Sequence, residues 1–169
     1  DYAGLGSTHH CPEDINLVNN IPNINIIVPG NSFELNYLFK KSFLNKNCNY
    51  YRLSEYEHSS NIKVRFGEAN IIQHGKKLNI IVVGPSLKYI EPFMKNIDAN
   101  IIYITTIKPF DKSLLKKLKI ISKKWLIIEN YYSGCLNEQL CNILKNQYYK
   151  IYNLSVPKNF LKNYGHKYQ

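Results

Sequence analysis

Along this chain, short apolar runs of strand length take turns with longer stretches in which apolar residues recur at helical spacing. Residues 1–11 carry glycines at 4 and 6 without either period and read as a loop. Pro12, Glu13 and Asp14 open a helix, because proline suits the first helical position and acids suit the positive end of the helix dipole. That helix should stop near Asn19 and Asn20, ahead of Ile21-Pro22. A strand over Asn25–Val28 follows, ended by Pro29 and Gly30. Asn31 or Ser32 caps the next helix, in which Phe33, Leu35, Leu38, Phe39 and Phe43 supply apolar faces, ending near Asn45. Tyr50–Leu53 is the next strand. Polar residues from Tyr56 to Asn61 carry no period and mark a boundary, and Lys63 to Gly75 reads as a hairpin-like lead-in. A second alternating series then runs through a strand at Ile80–Val83, a helix from Gly84-Pro85-Ser86 to about Lys95, and a strand at Asn100–Ile104. It continues with a helix from Asp111 to about Ser122, a strand at Trp125–Ile128, a helix from Glu138 to Asn146 and a strand at Lys150–Asn153. Pro157 begins a short helix ending at Gly165. The pattern predicts an α/β fold of two consecutive three-layer units with mainly parallel sheets, covering residues 1–60 and 61–169.

A hydrophobic share of 44% is enough for a packed core, and the longest apolar runs are far below the roughly 20 residues that span a bilayer. No basic region followed by an apolar run opens the chain, so the cytoplasm is the expected location. Cys11, Cys48, Cys135 and Cys141 form no CxxC pair and read as free thiols. The net charge of +10 raises the question of nucleic acid. The lysines, however, are scattered pairs on the expected solvent faces of helices, without interleaved aromatics, so no nucleic-acid partner is expected.

Three stretches then carry a family resemblance. The first is the loop from Asp1 through Gly4, Gly6, Thr8, His9 and His10, followed by Pro12-Glu13-Asp14-Ile15 and Ile21-Pro22-Asn23, with Val28-Pro29-Gly30-Asn31 and Glu34 behind it. The second is Gly84-Pro85 with Thr106-Ile107-Lys108-Pro109-Phe110-Asp111. The third is Glu129 leading to Gly134, with Pro157, Phe160, Tyr164 and Gly165 at the end. In order and spacing these resemble the C-terminal section of the transketolase family: the second half of its pyrimidine-binding domain and its complete C-terminal domain. The resemblance implies transfer of a two-carbon ketol unit between sugars or sugar phosphates, on thiamine diphosphate held with Mg²⁺ at a subunit interface. It also implies a homodimer, or a heteromer with a subunit carrying the diphosphate-binding domain. No Gly-Asp-Gly segment followed by Asn is present, and the cofactor-activating glutamate would lie ahead of Asp1, so the chain should be incomplete as an enzyme.

By the Thr-His match, His9 corresponds to the family histidine that hydrogen-bonds substrate oxygens, and His10 could share that role. From the residues alone, an imidazole on a glycine-containing loop can donate to a carbonyl or shuttle a proton near neutral pH, or simply brace the loop. Gly4 and Gly6 match the loop that approaches cofactor and substrate, or serve as ordinary loop glycines. Arg52 matches a less uniformly used substrate-binding position. His9, His10 and Cys11 are consecutive and make a poor metal cage, so no metal ligands are assigned. Only Ser7 separates Gly6 from Thr8, where sugar-phosphate transketolases carry a longer insert. Glu55 stands where the family often has a phosphate-gripping arginine, and a carboxylate repels phosphate, so an unphosphorylated acceptor is expected. Lys108, Asp111 and Glu129 are expected to cap helices and fix turns. Two other readings stay open: the related synthase that joins pyruvate to a triose phosphate, whose longer loop is missing here, and a degenerate, non-catalytic subunit that dimerises with an active partner.

Overall fold

The computed structural model describes residues 5–6, 9–114, 118, 122–145 and 148–159. Its elements are α1 (Asp14–Asn19), β1 (Ile24–Ile27), α2 (Ser32–Ser42), β2 (Cys48–Tyr51), β3 (Asn70–Gln73), β4 (Leu78–Val83), α3 (Leu87–Ile90), β5 (Ala99–Ile104), β6 (Thr106–Lys108), β7 (Lys124–Tyr132), α4 (Cys135–Ile143) and β8 (Lys150–Val156). They build one sheet in the order β2-β1-β6 and another in the order β3-β5-β4-β7-β8. The α/β class expected from the alternation is the class the chain adopts. The pairs β1–β2, β4–β5, β4–β7 and β7–β8 are parallel, while β6 and β3 run antiparallel to their neighbours β1 and β5.

Both faces of the central strands are covered, as parallel sheets require. Along β4, Ile81 and Val83 enter one buried cluster with Ile102, Ile104, Trp125, Ile127 and Leu140. Ile80 and Val82 enter the other, with Leu38, Leu87, Ile101 and Tyr103. The two sheets share these cores: Ile26 and Val28 join the first cluster and Ile27 the second. The period-two side-chain rule thus sends β1 into the same two layers as β4.

Several elements depart from the sequence pattern for physical reasons. The stretch read as one helix to Lys95 is a 3₁₀ turn at Gly84–Ser86, a single α turn at α3 and a second 3₁₀ turn at Glu91–Asn96. Pro92 has no N–H to bond back into the preceding turn, so the α-helix cannot run through it. The expected hairpin within 63–75 is instead the single edge strand β3, pairing with the distant β5. Thr106–Lys108, given no element by the sequence pattern, is the strand β6 that crosses to pair with β1, so the later half of the chain lends a strand to the earlier sheet. Strand β7 runs on to Tyr132, and α4 starts at Cys135 rather than Glu138. Asn31 caps α2, its side chain accepting from Glu34 N at 3.0 Å. Most of the helix expected from Asp111, and most of the one expected from Pro157, lie outside the described residues.

The carboxyl ends of the two sheets meet. The connection after β4 runs to β5 on one side and the connection after β7 runs to β8 on the other, which makes the ends of β4 and β7 the topological switch point of the larger sheet. There Val28 N donates to Thr105 O (2.7 Å), and Gly84, at φ 43°, lies so close that a Cβ would collide with the Val28 carbonyl oxygen.

Candidate functional site

The His9–Cys11 loop sits over this junction and is tied to it from three sides. His9 N donates to Gly6 O (3.0 Å), with Gly6 buried at φ 81°, a left-handed conformation that glycine adopts without steric cost. Tyr132 N donates to Pro12 O (2.8 Å), and Arg52 Nη1 reaches Cys11 O (3.4 Å). Cys11 itself has φ 38°. Helix α1, which follows the loop, is docked by Asn16. Its amide donates to Tyr132 O (2.7 Å) and its Oδ1 accepts from Cys135 N (2.9 Å). At the other end of α1, Lys108 Nζ donates to Asn19 O and Ile21 O (2.9 Å each). Asp111 accepts from Ser113 N (2.9 Å) and Ala69 N (3.0 Å), so both residues do the capping and turn-fixing work expected of them.

Of the sequence-predicted site residues, His9 is exposed and His10 is half-buried, with both ring nitrogens enclosed and lacking hydrogen-bond partners among the described residues. Gly4 lies outside the described residues. Arg52 comes to the same loop, but from beneath. It is buried, ion-paired through Nη1 with the equally buried Asp14, donates through Nη2 to Asn130 O (3.3 Å), and lies over the Tyr131 ring at 5.8 Å. Tyr50 Oη donates to the same Asp14 oxygen (2.7 Å), and burial together with that carboxylate raises its phenol above the ordinary range. Burial, then Glu13 and Asp14, likewise push the Cys11 thiol up, which disfavours a thiolate nucleophile. Glu55 is exposed on the surface, apart from the buried Arg52.

A second polar cluster went unseen in the sequence. Glu34 of α2, His58 of the connecting segment and Tyr103 of β5 meet in the core, all three at most 4% exposed. Tyr103 Oη donates to Glu34 Oε2 (2.6 Å), and Gly30 N donates to the same oxygen (2.7 Å). His58 Nε2 lies 2.9 Å from Tyr103 Oη and 3.2 Å from Glu34 Oε1. Since the one phenolic proton goes to Glu34, Nε2 must carry a hydrogen to satisfy these two oxygens. Its other nitrogen faces Glu91 Oε1 at 3.9 Å. Glu34 is recognisable three residues after the Asn31 cap, but nothing in the polar stretch 56–61 singles out His58. Nearby, an open hollow of about 690 Å³ is lined by Phe33, Tyr37, Ser60, Lys63 and others.

Glu129, near the end of β7, is 3% exposed, and burial pushes its carboxyl up to about 8. Asn153 Nδ2 offers it only a long bond of 3.4 Å. Among the described residues, no group of three His, Cys, Asp or Glu comes together that could hold a metal ion, and no helix is long and apolar enough to cross a membrane. The four cysteines are free.

No protein-family model matches the chain. It is 30% identical over 168 residues to the 1-deoxy-D-xylulose-5-phosphate synthase of Clostridium beijerinckii, a match covering 89% of this chain and 27% of that protein. It is 29% identical over 125 residues to a Methanocaldococcus jannaschii protein provisionally named a transketolase C-terminal section, covering 68% of this chain and 40% of that one. Among solved structures, a split-gene transketolase described as an inactive β4 tetramer superposes with a TM-score of 0.76 at 21% identity, over 91% of this chain and 55% of that chain. The chain belongs to the transketolase family. Within that family it corresponds to the C-terminal part, as the resemblance of its motifs implied. An uncharacterized 33.6 kDa protein of the Rhodococcoides fascians fasciation locus is 26% identical over 168 residues, 98% of this chain and 54% of that protein. The transketolase-family chain therefore spans between about a quarter and a half of the length of these relatives.

Proposed function

We propose that this chain is part of a thiamine-diphosphate-dependent transferase that moves a two-carbon ketol unit between sugars, and that it works only in assembly with a subunit carrying the diphosphate-binding domain. Residues 1–60 would be the later half of a pyrimidine-binding domain and 61–169 the C-terminal domain. The observation that carries the reading is the His9 loop, exposed at its tip yet anchored by Gly6, Arg52 and Tyr132. The anchoring holds the backbone that would present an imidazole able to donate a hydrogen bond to a substrate oxygen. The described residues do not themselves fit Mg²⁺ and a diphosphate, since they bring no ligand cluster together, and both would be held by the other subunit. Gly4 and Gly6 would let the backbone approach the cofactor, and Arg52, locked to Asp14, would hold the loop rather than grip substrate. His10, with its ring nitrogens enclosed, would support His9; the same enclosure suits the alternative of a degenerate, non-catalytic subunit that dimerises with an active partner. With Glu55 in place of an arginine, the acceptor sugar would be unphosphorylated, and the assembly cytoplasmic.

The test is the native mass of the protein from its own host, with and without thiamine diphosphate and Mg²⁺, followed by ketol-transfer assays on the isolated assembly. A heteromer that retains the cofactor and loses at least about 100-fold in kcat/KM on His9→Ala is expected. A species that stays at 19.8 kDa and never takes up cofactor would overturn the reading. A clear preference for phosphorylated ketoses would overturn the acceptor assignment alone.

A further inference from the structure

Lysines that look scattered in the sequence are gathered by the fold at one end of the larger sheet. Lys76 and Lys77 precede β4, Lys95 precedes β5, Lys123 and Lys124 lead into β7, and Lys150 opens β8. These four strands are parallel, so their amino ends lie side by side, with neighbouring strands about 4.8 Å apart. The backbone knits this end together. Lys77 N donates to Asp98 O (3.1 Å), Ser122 Oγ to Lys77 O (2.7 Å) and Lys150 N to Lys123 O (3.0 Å). All six lysines are exposed, and among the described residues none of them pairs with a carboxylate. Across the stretches that form this end, 74–78, 93–99, 122–124 and 148–150, Asp98 is the one acid. Two large aromatics flank the lysines: Phe93, 59% exposed, beside Lys95, and Tyr148, 71% exposed, just before Lys150.

This basic end points away from the rest of the chain. Strand β4 has six residues, so roughly 20 Å separates the lysines from the carboxyl ends, where the smaller sheet and the His9 loop sit. The earlier half of the pyrimidine-binding domain would adjoin the smaller sheet, and a cofactor-carrying subunit would approach the His9 loop, so neither would cover it. We propose that the amino end of the larger sheet is a peripheral docking surface for an anionic lipid bilayer, with the lysines on the headgroups and Phe93 and Tyr148 dipping between them. The chemistry selects the occupant. Lysines are compact, strongly hydrated point charges that suit a diffuse field of headgroups, whereas the forked donors of arginine recognise a single phosphate or base in fixed geometry. A nucleic-acid strand is tracked by a groove lined with stacking aromatics. Here the cations stand in a row along the end of a sheet, and the aromatics belong to its β5 and β8 sides, which three strand spacings put roughly 14 Å apart. Rings set at the margins of a cationic surface are placed as interfacial aromatics are.

The proposal does not rest on the ketol-transfer reading, and its test uses the purified chain with no cofactor. Vesicles of phosphatidylcholine with about 30 mol% phosphatidylglycerol should carry the chain down on sedimentation at about 0.05 M salt and release it at about 0.5 M, while pure phosphatidylcholine carries none. Each lysine near an anionic surface contributes about fivefold in partitioning, so Lys77→Gln, Lys124→Gln and Lys150→Gln together should weaken binding about 100-fold. Their side chains are exposed, so the thermal melt should not move. The combination Lys40→Gln, Lys41→Gln and Lys46→Gln removes the same net charge from α2 and the turn after it, and should cost no more than a few-fold. A wild-type chain that stays in solution with the anionic vesicles would overturn the proposal. Equal losses in the two triple variants would also overturn it, by reducing the attraction to net charge. So would a short single-stranded oligonucleotide that binds more tightly than the vesicles and is lost with Lys77, Lys124 and Lys150, because this end would then belong to nucleic acid.

Discussion

Replacing Tyr103 by phenylalanine removes one oxygen and leaves the shape of the core unchanged, so its effect isolates the Glu34–His58–Tyr103 cluster. The lost hydroxyl makes two bonds: it donates to the Glu34 carboxylate at 2.6 Å and accepts from His58 Nε2 at 2.9 Å. A bond to a charged group contributes about 1.5–3 kcal/mol and a neutral one about 1 kcal/mol. Two features soften the loss. Gly30 N still donates to Glu34 Oε2 at 2.7 Å, and His58 Nε2 remains 3.2 Å from Glu34 Oε1. Water cannot fill the gap readily, because all three side chains are almost wholly enclosed. The expected cost is therefore about 3 kcal/mol. For a domain of this size that corresponds to a fall in Tm of roughly 6–12 °C. Urea titrations of wild type, Tyr103→Phe, Glu34→Gln and the double variant form a cycle that should show a coupling of about 1–2 kcal/mol. A single-variant loss below about 1 kcal/mol, or a strictly additive cycle, would refute the claim that the shared hydroxyl ties α2 to β5.

Glu129 predicts a pH dependence. Its carboxyl, raised from 4.5 to about 8, stays protonated in the folded chain where the unfolded chain has released the proton. Its contribution to stability is thus whole below the lower value and lost as pH rises through the upper one, a swing of order a few kcal/mol. Urea unfolding at about pH 6 and about pH 9 should show that decline in wild type and a markedly smaller one in Glu129→Gln; equal slopes would contradict the assignment. Asp14→Asn strips the buried Arg52 guanidinium of its counter-charge and should cost about 3–5 kcal/mol by denaturant titration, with much of it regained when Arg52→Met is added. Gly84→Ala meets both a left-handed backbone and the Val28 carbonyl, whereas Gly67→Ala, at φ 76° with nothing nearer than Pro109 at 3.6 Å, meets only the first. Thermal melts should rank the former at least about 1 kcal/mol worse than the latter.

The sequence pattern foretold the strands buried on both faces, β1, β4, β5 and β7, because β-branched runs such as Ile80–Val83 have no other comfortable place. It failed where long-range pairing decides. Residues 106–108 are too short for a period, and only the proximity of β1 makes them a strand. The apolar positions of α2 were visible, but periodicity cannot tell that Leu38 is covered while Phe33, Phe39 and Phe43 stay exposed. Motif order singled out the His9 loop but not its tie to Arg52, because Asp14 and Arg52 lie 38 positions apart and neither residue alone points to the other. His58 was hidden for the same reason.

The meeting of the two carboxyl ends carries a further meaning. In open α/β sheets, the mouth at the switch point is where small molecules settle. Here that berth is filled by the chain's own Val28, seated against Gly84 and held through Thr105. An occupant tethered to its host is present at an effective concentration that a dissolved metabolite rarely reaches, so no free ligand competes for the berth on even terms. Substitutions along that rim are accordingly filtered by fit between two surfaces of one molecule.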